Sequence, residues 1–304
     1  MPGHVPVLRQ EAARLLVTDP GGTYVDATLG RCGHAREILS RLSEFGRLIG
    51  MDCDPAAVAL AAADPPAAPP RFETARGRFS DLEATLGAIG VAAVDGIIAD
   101  LGISSDQLDD PSRGLSFAQD GPLDMRLDPS RPLTAAALIR GTDEKSLARL
   151  LSEFGELPRA HAAARAIRRA QAEHDPLTTR ALREALAPLY PGSARPRRLA
   201  QAFQALRMAV NRELPELEAL LTAAANLIRP GGSLCVIAYH SLEDRLVKNT
   251  FRPPRPLDAW IPPAESPWDP ITPRPIRATE AESRTNPRAA SARLRAARRK
   301  EPTA

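Results

Sequence analysis

The chain of 304 residues is poor in cysteine, lysine and aromatic side chains, and it contains no long apolar run. Cys32, Cys53 and Cys235 are odd in number and far apart, which excludes a secreted disulfide framework and a zinc site built on paired cysteines. Reduced thiols are the expectation. No apolar stretch approaches the roughly 20 residues that a membrane-spanning helix needs. The segment from Met1 to Leu8 lacks the basic region and apolar core of a signal peptide. These absences predict a cytoplasmic protein with no membrane partner. Lys145, Lys248 and Lys300 are the only lysines among 40 basic residues. Arginine suits bidentate phosphate contacts, but an alanine- and arginine-rich composition explains the bias equally well. A formal net charge of +3 is compatible with a polyanionic partner and does not demand one.

With 43% hydrophobic and 25% charged residues, the chain can bury one large core and a second, smaller one, so two domains are expected. Strand and helix signals alternate in the first hundred residues as in a doubly wound, mostly parallel sheet. Strand one covers 23–28 and runs into Leu29-Gly30-Arg31-Cys32-Gly33-His34, a tight turn that opens a helix over 34–42. Glycines at 30 and 33 allow close backbone approach to a ligand, and the helix start directs free N–H groups at it. Strand two, 47–51, delivers Asp52, an acid placed to accept both hydroxyls of an adenosine ribose. Dinucleotide oxidoreductases use Gly-x-Gly-x-x-Gly. An acid before Gly-x-x-Gly, here Asp26, is the style of S-adenosylmethionine methyltransferases, since a carboxylate repels a pyrophosphate. Asp26 either holds the loop or meets the cationic methionine moiety. Strand four, 94–99, ends on Asp100, so strands one, two and four all finish in polar residues at the edge where open α/β sheets bind ligands.

After Asp106 the pattern changes to a Gly/Pro/Asp-rich loop reaching Asp128, then to helical segments over 144–154, 158–172 and 178–189. These define an inserted loop and helical subdomain, 108–205, within a discontinuous domain of 1–107 and 206–304. The sheet pattern resumes with a helix over 214–228, a turn at Pro230-Gly231-Gly232, and a strand over 233–239 ending on His240. Residues 252–286 are proline-rich and read as a loosely ordered loop. The basic run 288–300 reads either as an RNA-phosphate contact or as a last edge strand with solvated arginines over 291–297.

Five strings carry a resemblance: Gly30-Arg31-Cys32-Gly33-His34, Asp100 to Asp109, Arg113-Gly114-Leu115-Ser116-Phe117, Asp120-Gly121-Pro122-Leu123-Asp124-Met125-Arg126 and His240-Ser241-Leu242-Glu243-Asp244-Arg245. Over nearly the whole chain the sequence resembles the bacterial 16S ribosomal RNA cytosine-N4 methyltransferases, the MraW or RsmH family. The resemblance implies a Rossmann-like α/β class I methyltransferase core and N4-methylation of one cytidine in the decoding region of small-subunit rRNA. It implies S-adenosylmethionine as cofactor, held by Cys32, Gly33, His34, Asp52, Phe79, Asp100 and Gln107, with no metal. Asp100 and His240 are the catalytic candidates, and 16S rRNA within the small subunit is the partner. A homodimer stays open. The chain departs from the family at Cys32, where a glycine is usual, at Asp106, where a proline is usual, and over 195–207.

Methyl transfer to the cytosine amine asks mainly for alignment and a dry pocket. Asp100 and the carbonyls of residues 101–104 are candidates to accept from the amine N–H groups. Tyr239, His240 and Phe117 are candidates to hold the unstacked base, and Arg113, Arg126, Arg159, Arg165, Arg168 and Arg169 are candidates for phosphate contacts. Cys32 is either a small residue tolerated in the loop or, at a helix N-terminus, a thiol of lowered pKa that a cofactor would shield from alkylation. A methyltransferase for another RNA or a protein, and a non-catalytic ribosome-assembly factor that binds the same cofactor, remain alternatives.

Overall fold

A computed structural model describes residues 6–66, 71–254 and 265–301. The described chain divides into two compact units, 1–102 with 214–304, and 103–213. The second unit begins five residues before the expected boundary at 108 and ends eight residues after 205.

The first unit is built on a seven-stranded sheet: β1 (Thr23–Asp26), β2 (Arg47–Asp52), β3 (Arg71–Arg76), β4 (Val94–Asp100), β5 (Ile228–Ala238), β6 (Trp268–Pro270) and β7 (Arg293–Arg299). Their order is β3-β2-β1-β4-β5-β7-β6. The strands β1 to β5 are parallel, and β7 runs antiparallel to both β5 and β6. This is a Rossmann-like α/β core. Alternate residues serve opposite faces: Val25, Ile49, Ile97 and Val236 join one core cluster, and Tyr24, Leu48, Ile98 and Ile237 join the other. Helices Leu82–Ala88 and Glu213–Leu227 cover the first face, while Arg9–Leu16 and Gly33–Leu39 cover the second. Strands buried on both sides read as continuous apolar runs, which is why β1, β2 and β4 were legible.

Three expectations are corrected. Pro230-Gly231-Gly232 lies inside β5, because Val94 pairs with Ile228 while Gly96 pairs with Ser233, so four residues of β5 bulge opposite one of β4. The C-terminal basic strand is not an edge: β7 lies between β5 and β6. Its arginines are not all solvated either, since Arg295 is buried and makes a bidentate pair with Asp244 (Nε–Oδ1 2.7 Å, Nη2–Oδ2 3.2 Å). The stretch 252–286 contains β6 and the helix Glu280–Thr285, while 255–264 lie outside the described residues.

The second unit is helical. Ala135–Gly141, Glu144–Gly155, Ala160–Glu173, Thr179–Leu186 and Arg195–Asn211 surround an alanine- and leucine-rich core. Thr134, Asp143 and Thr178 each accept from the backbone N–H three residues on, fixing three of the helix starts. The first and last of these helices had no counterpart among the sequence expectations. Among the described residues no helix is long and apolar enough to cross a membrane.

Candidate active site

In an open doubly wound sheet the ligand crevice opens where the strand order reverses, here between the carboxyl ends of β1 and β4. Those ends carry Asp26 and Asp100, and β2 beside them ends on Asp52. After β1 the chain enters a turn in which Gly30 (φ +47°) and Cys32 (φ +60°) adopt left-handed conformations before the helix Gly33–Leu39. Gly33 has no room for a side chain, because a Cβ there would run into the Pro6 ring.

Hydrogen bonds tie this turn to the strand ends. Asp52 Oδ2 accepts from Gly30 N (3.0 Å), and its Oδ1 accepts from Asp54 N (2.9 Å). Burial raises the Asp52 pKa, opposed by these backbone donors. Asp26 Oδ1 accepts from Thr28 N (3.1 Å) and Thr28 Oγ1 (3.5 Å), so Asp26 does hold the loop. In turn Thr28 Oγ1 accepts from Asp100 N at 2.7 Å. The Asp100 carboxylate receives the Tyr239 hydroxyl on Oδ1 (2.7 Å) and faces His34 Nε2 from Oδ2 (3.4 Å). His34 is buried; burial opposes its charged form, but Asp100 and then Asp26 prevail and raise its pKa.

Asp26 is 1% exposed, and burial lifts its pKa to about 6. A carboxyl whose pKa is higher in the folded state than its ordinary 3.8 contributes stability that is full below about pH 4 and lost as pH rises through 6. The contribution is about 3 kcal/mol, from 1.36 kcal/mol per pH unit. Asp26→Asn is therefore expected to gain stability relative to the unsubstituted protein between pH 4.5 and pH 7.5. Denaturant melts at the two pH values check this, and parallel stability curves would refute it.

Cys32 is not an activated thiol. It is 2% exposed, and burial, followed by the charge of Asp26, pushes its pKa up to about 11. The seven-residue helix that follows does not offset desolvation. Alkylation of native protein at pH 7.5 is expected to spare Cys32, with or without S-adenosylmethionine, until denaturant is added. Peptide mass mapping after a timed pulse reads this directly.

The other expected residues are placed as follows. Phe79 begins a 3-10 turn after β3 and packs, half-buried, against the first core cluster. Tyr239 and His240 directly follow β5. His240 caps the helix Ser241–Phe251: its Nδ1 accepts from Glu243 N (3.4 Å) and its Nε2 lies 3.0 Å from Glu243 Oε1, while Glu243 Oε2 accepts from Tyr239 N (2.9 Å). Both ring nitrogens thus face Glu243. Gln107 belongs to the second unit, where it closes a capping box with Ser104.

In the second unit four of the six expected phosphate ligands bond to groups of their own unit. Arg126 pairs with Asp124 (Nε–Oδ1 2.8 Å, Nη2–Oδ2 2.7 Å) and donates to the carbonyls of Pro129 and Arg131. Arg113 donates to the carbonyls of Arg126 and Leu127. Arg159 and Arg168 donate to the carbonyls of Leu189 and Ile139, leaving Arg165 and Arg169 exposed. Phe117 stacks edge-on against Phe203 at 5.6 Å rather than standing free for a base. Asn211 was missed by sequence reasoning: its side chain bonds Met125 O (2.8 Å) and Leu127 N (2.7 Å), fastening the loop.

A doubly wound sheet whose switch point gathers carboxylates around a Gly-x-x-Gly turn is the setting of a nucleotide-derived cofactor, and the family match makes this chain an S-adenosylmethionine-dependent methyltransferase. The chain belongs to the MraW methylase family, whose model matches residues 1–300. It is 46% identical over 300 residues to the ribosomal RNA small subunit methyltransferase H of Sorangium cellulosum, covering 97% of this chain and 90% of that one. It is 44% identical over 313 residues to the protein of the same name from Symbiobacterium thermophilum, covering 96% and 95%. A third relative of that name, from Thermomicrobium roseum, is 45% identical over 307 residues, covering 97% and 93%.

The residues present fit the cofactor of this class. Gly30 has open space beside it, the nearest atom to an added Cβ being Thr28 O at 3.9 Å. Asp52 accepts from the backbone of Gly30, Asp54 and Cys53, and a carboxylate's lone pairs leave capacity for a diol. Asp26 Oδ2 and both His34 ring nitrogens are buried with no well-aligned hydrogen-bond partner among the described residues.

Proposed function

We propose that this enzyme methylates N4 of one cytidine in the decoding region of 16S ribosomal RNA, within the small ribosomal subunit. The observation that carries the reading is the Asp100 carboxylate, held at the switch-point edge by the Tyr239 hydroxyl and facing His34. The family match and the names of its relatives support the RNA substrate. S-adenosylmethionine, when bound, supplies a methyl group on a sulfonium primed for in-line displacement. In this reading Asp52 accepts from the ribose hydroxyls, and Phe79 packs by the adenine. Cys32, Gly33 and His34 line the methionine end, and Gln107 is retained on the resemblance alone.

The lone pair of the cytosine amine is delocalised into its ring, so attack is favoured by an acceptor for its N–H. Asp100 is that acceptor and takes the proton the amine gives up. His240 enters as a positioning residue, fixing through Glu243 the backbone that carries Tyr239. Mass analysis of 16S rRNA from a strain lacking this gene tests the reading. The expected result is loss of one N4-methylcytidine, restored by the unsubstituted gene. Loss of a different mark would assign another acceptor, and an assembly defect with every mark retained would assign a non-catalytic factor.

A further inference from the structure

The turn after β1 and the end of β4 are joined by a chain of contacts. Asp26 Oδ1 holds Thr28, Thr28 Oγ1 receives Asp100 N, and Asp100 Oδ2 faces His34 Nε2. His34 is 5% exposed and Asp26 1% exposed, and Asp26 Oδ2 has no hydrogen-bond partner among the described residues. The partly exposed Asp100 carboxylate faces a buried imidazole that also feels the charge of buried Asp26, an arrangement in which a proton can pass from the acid to the imidazole. A carboxylate needed only as a loop fastener would not require a buried histidine against its neighbour.

We propose that Asp26 and His34 are positioning residues of a buried proton relay, in which Asp100 passes the proton received from the acceptor amine to His34 Nε2. The inference rests on the reading that Asp100 faces the amine. The amine gains a methyl group and surrenders one proton to an Asp100 oxygen. That proton moves from Asp100 Oδ2 to Nε2 of the neutral His34 tautomer that carries its own proton on Nδ1, which restores the Asp100 carboxylate and leaves His34 as an imidazolium. Asp26, negatively charged, stabilises the imidazolium, and His34 returns the proton to solvent when the product leaves.

The charged groups around the relay are few. His34 feels Asp100 on β4, Asp26 on β1 and, in the opposite sense, Arg9 on the helix Arg9–Leu16. Asp26 feels His34, Asp100 and Asp52. Asp26 is thus the one of these groups that raises the His34 pKa without itself meeting the acceptor. Removing its charge tests the relay while leaving Asp100 in place.

The experiment follows the imidazole nitrogens of the full chain by NMR after labelling with 15N-histidine, with the His34 signal assigned from His34→Gln. Single-turnover methylation of small subunits lacking the mark is measured across the same pH range. In the unsubstituted protein His34 is expected to titrate above an ordinary histidine, and the acid limb of the rate profile to track it, because only neutral His34 accepts a proton. Asp26→Asn is expected to lower both by about one pH unit. His34→Gln is expected to slow turnover about tenfold or more and to abolish that limb, and it carries the kinetic arm if Asp26→Asn does not fold. An unchanged His34 titration in Asp26→Asn overturns the proposal, and so does a shifted titration with an unmoved acid limb. Failure of the underlying reading looks different: Asp100→Asn would then methylate normally whatever His34 does.

Discussion

Replacing Asp52 by alanine is expected to weaken S-adenosylmethionine binding about 30-fold to 1000-fold, which titration calorimetry will read. The magnitude follows from two charge-assisted hydrogen bonds to the ribose diol, roughly 2–4 kcal/mol together, at 1.4 kcal/mol per tenfold. The fold will feel the change too, because Asp52 also receives Gly30 N and Asp54 N. Loss of those two acceptors is expected to lower the melting temperature and loosen the turn that carries Gly33 and His34. Asp52→Asn separates the effects: it keeps an oxygen for one backbone donor but presents an amide to the other and to the diol. Full affinity in both variants would remove Asp52 from the cofactor site.

The second large effect concerns Asp100. Asp100→Asn is expected to cut single-turnover methyl transfer by more than about tenfold, since an amide cannot take up the proton released by the amine. The substitution preserves side-chain volume, and the backbone contact from Asp100 N to Thr28 is untouched. The variant should therefore fold and bind S-adenosylmethionine. Rapid-quench measurement with saturating cofactor isolates the chemical step from binding and product release. A normal rate would leave the backbone carbonyls that follow β4 as the acceptors.

Much of the candidate site was legible because each of its acids ends a strand with a strong apolar signature. Val25 before Asp26, Met51 before Asp52 and Ile97-Ile98-Ala99 before Asp100 are all buried. Length and spacing then place the carboxylates at one end of the sheet. What the sequence hid were partners distant along the chain. The pair between Arg295 and Asp244 spans 51 residues, and nothing local marks β7 as an interior strand when its arginines look like a solvated face. Arg113 and Arg126 misled for a similar reason. Their guanidinium groups are satisfied by carbonyls of a loop whose shape is set by Asn211, 86 residues from Met125. Cys32 misled because a position next to a helix start suggests activation, whereas its burial decides the sign of the shift.

The placement of β7 also governs when the sheet can be completed. Among the seven described strands it comes last in the chain, yet it separates β5 from β6. Until residues 293–299 leave the ribosome, β5 presents an unpaired edge beside the strand end that carries Tyr239 and His240, and Trp268 has no sheet to join. Such an edge is a template for association with other chains, and pairing over so long a sequence separation is slow. The sheet of the first unit is thus incomplete until β7 has paired on both of its sides.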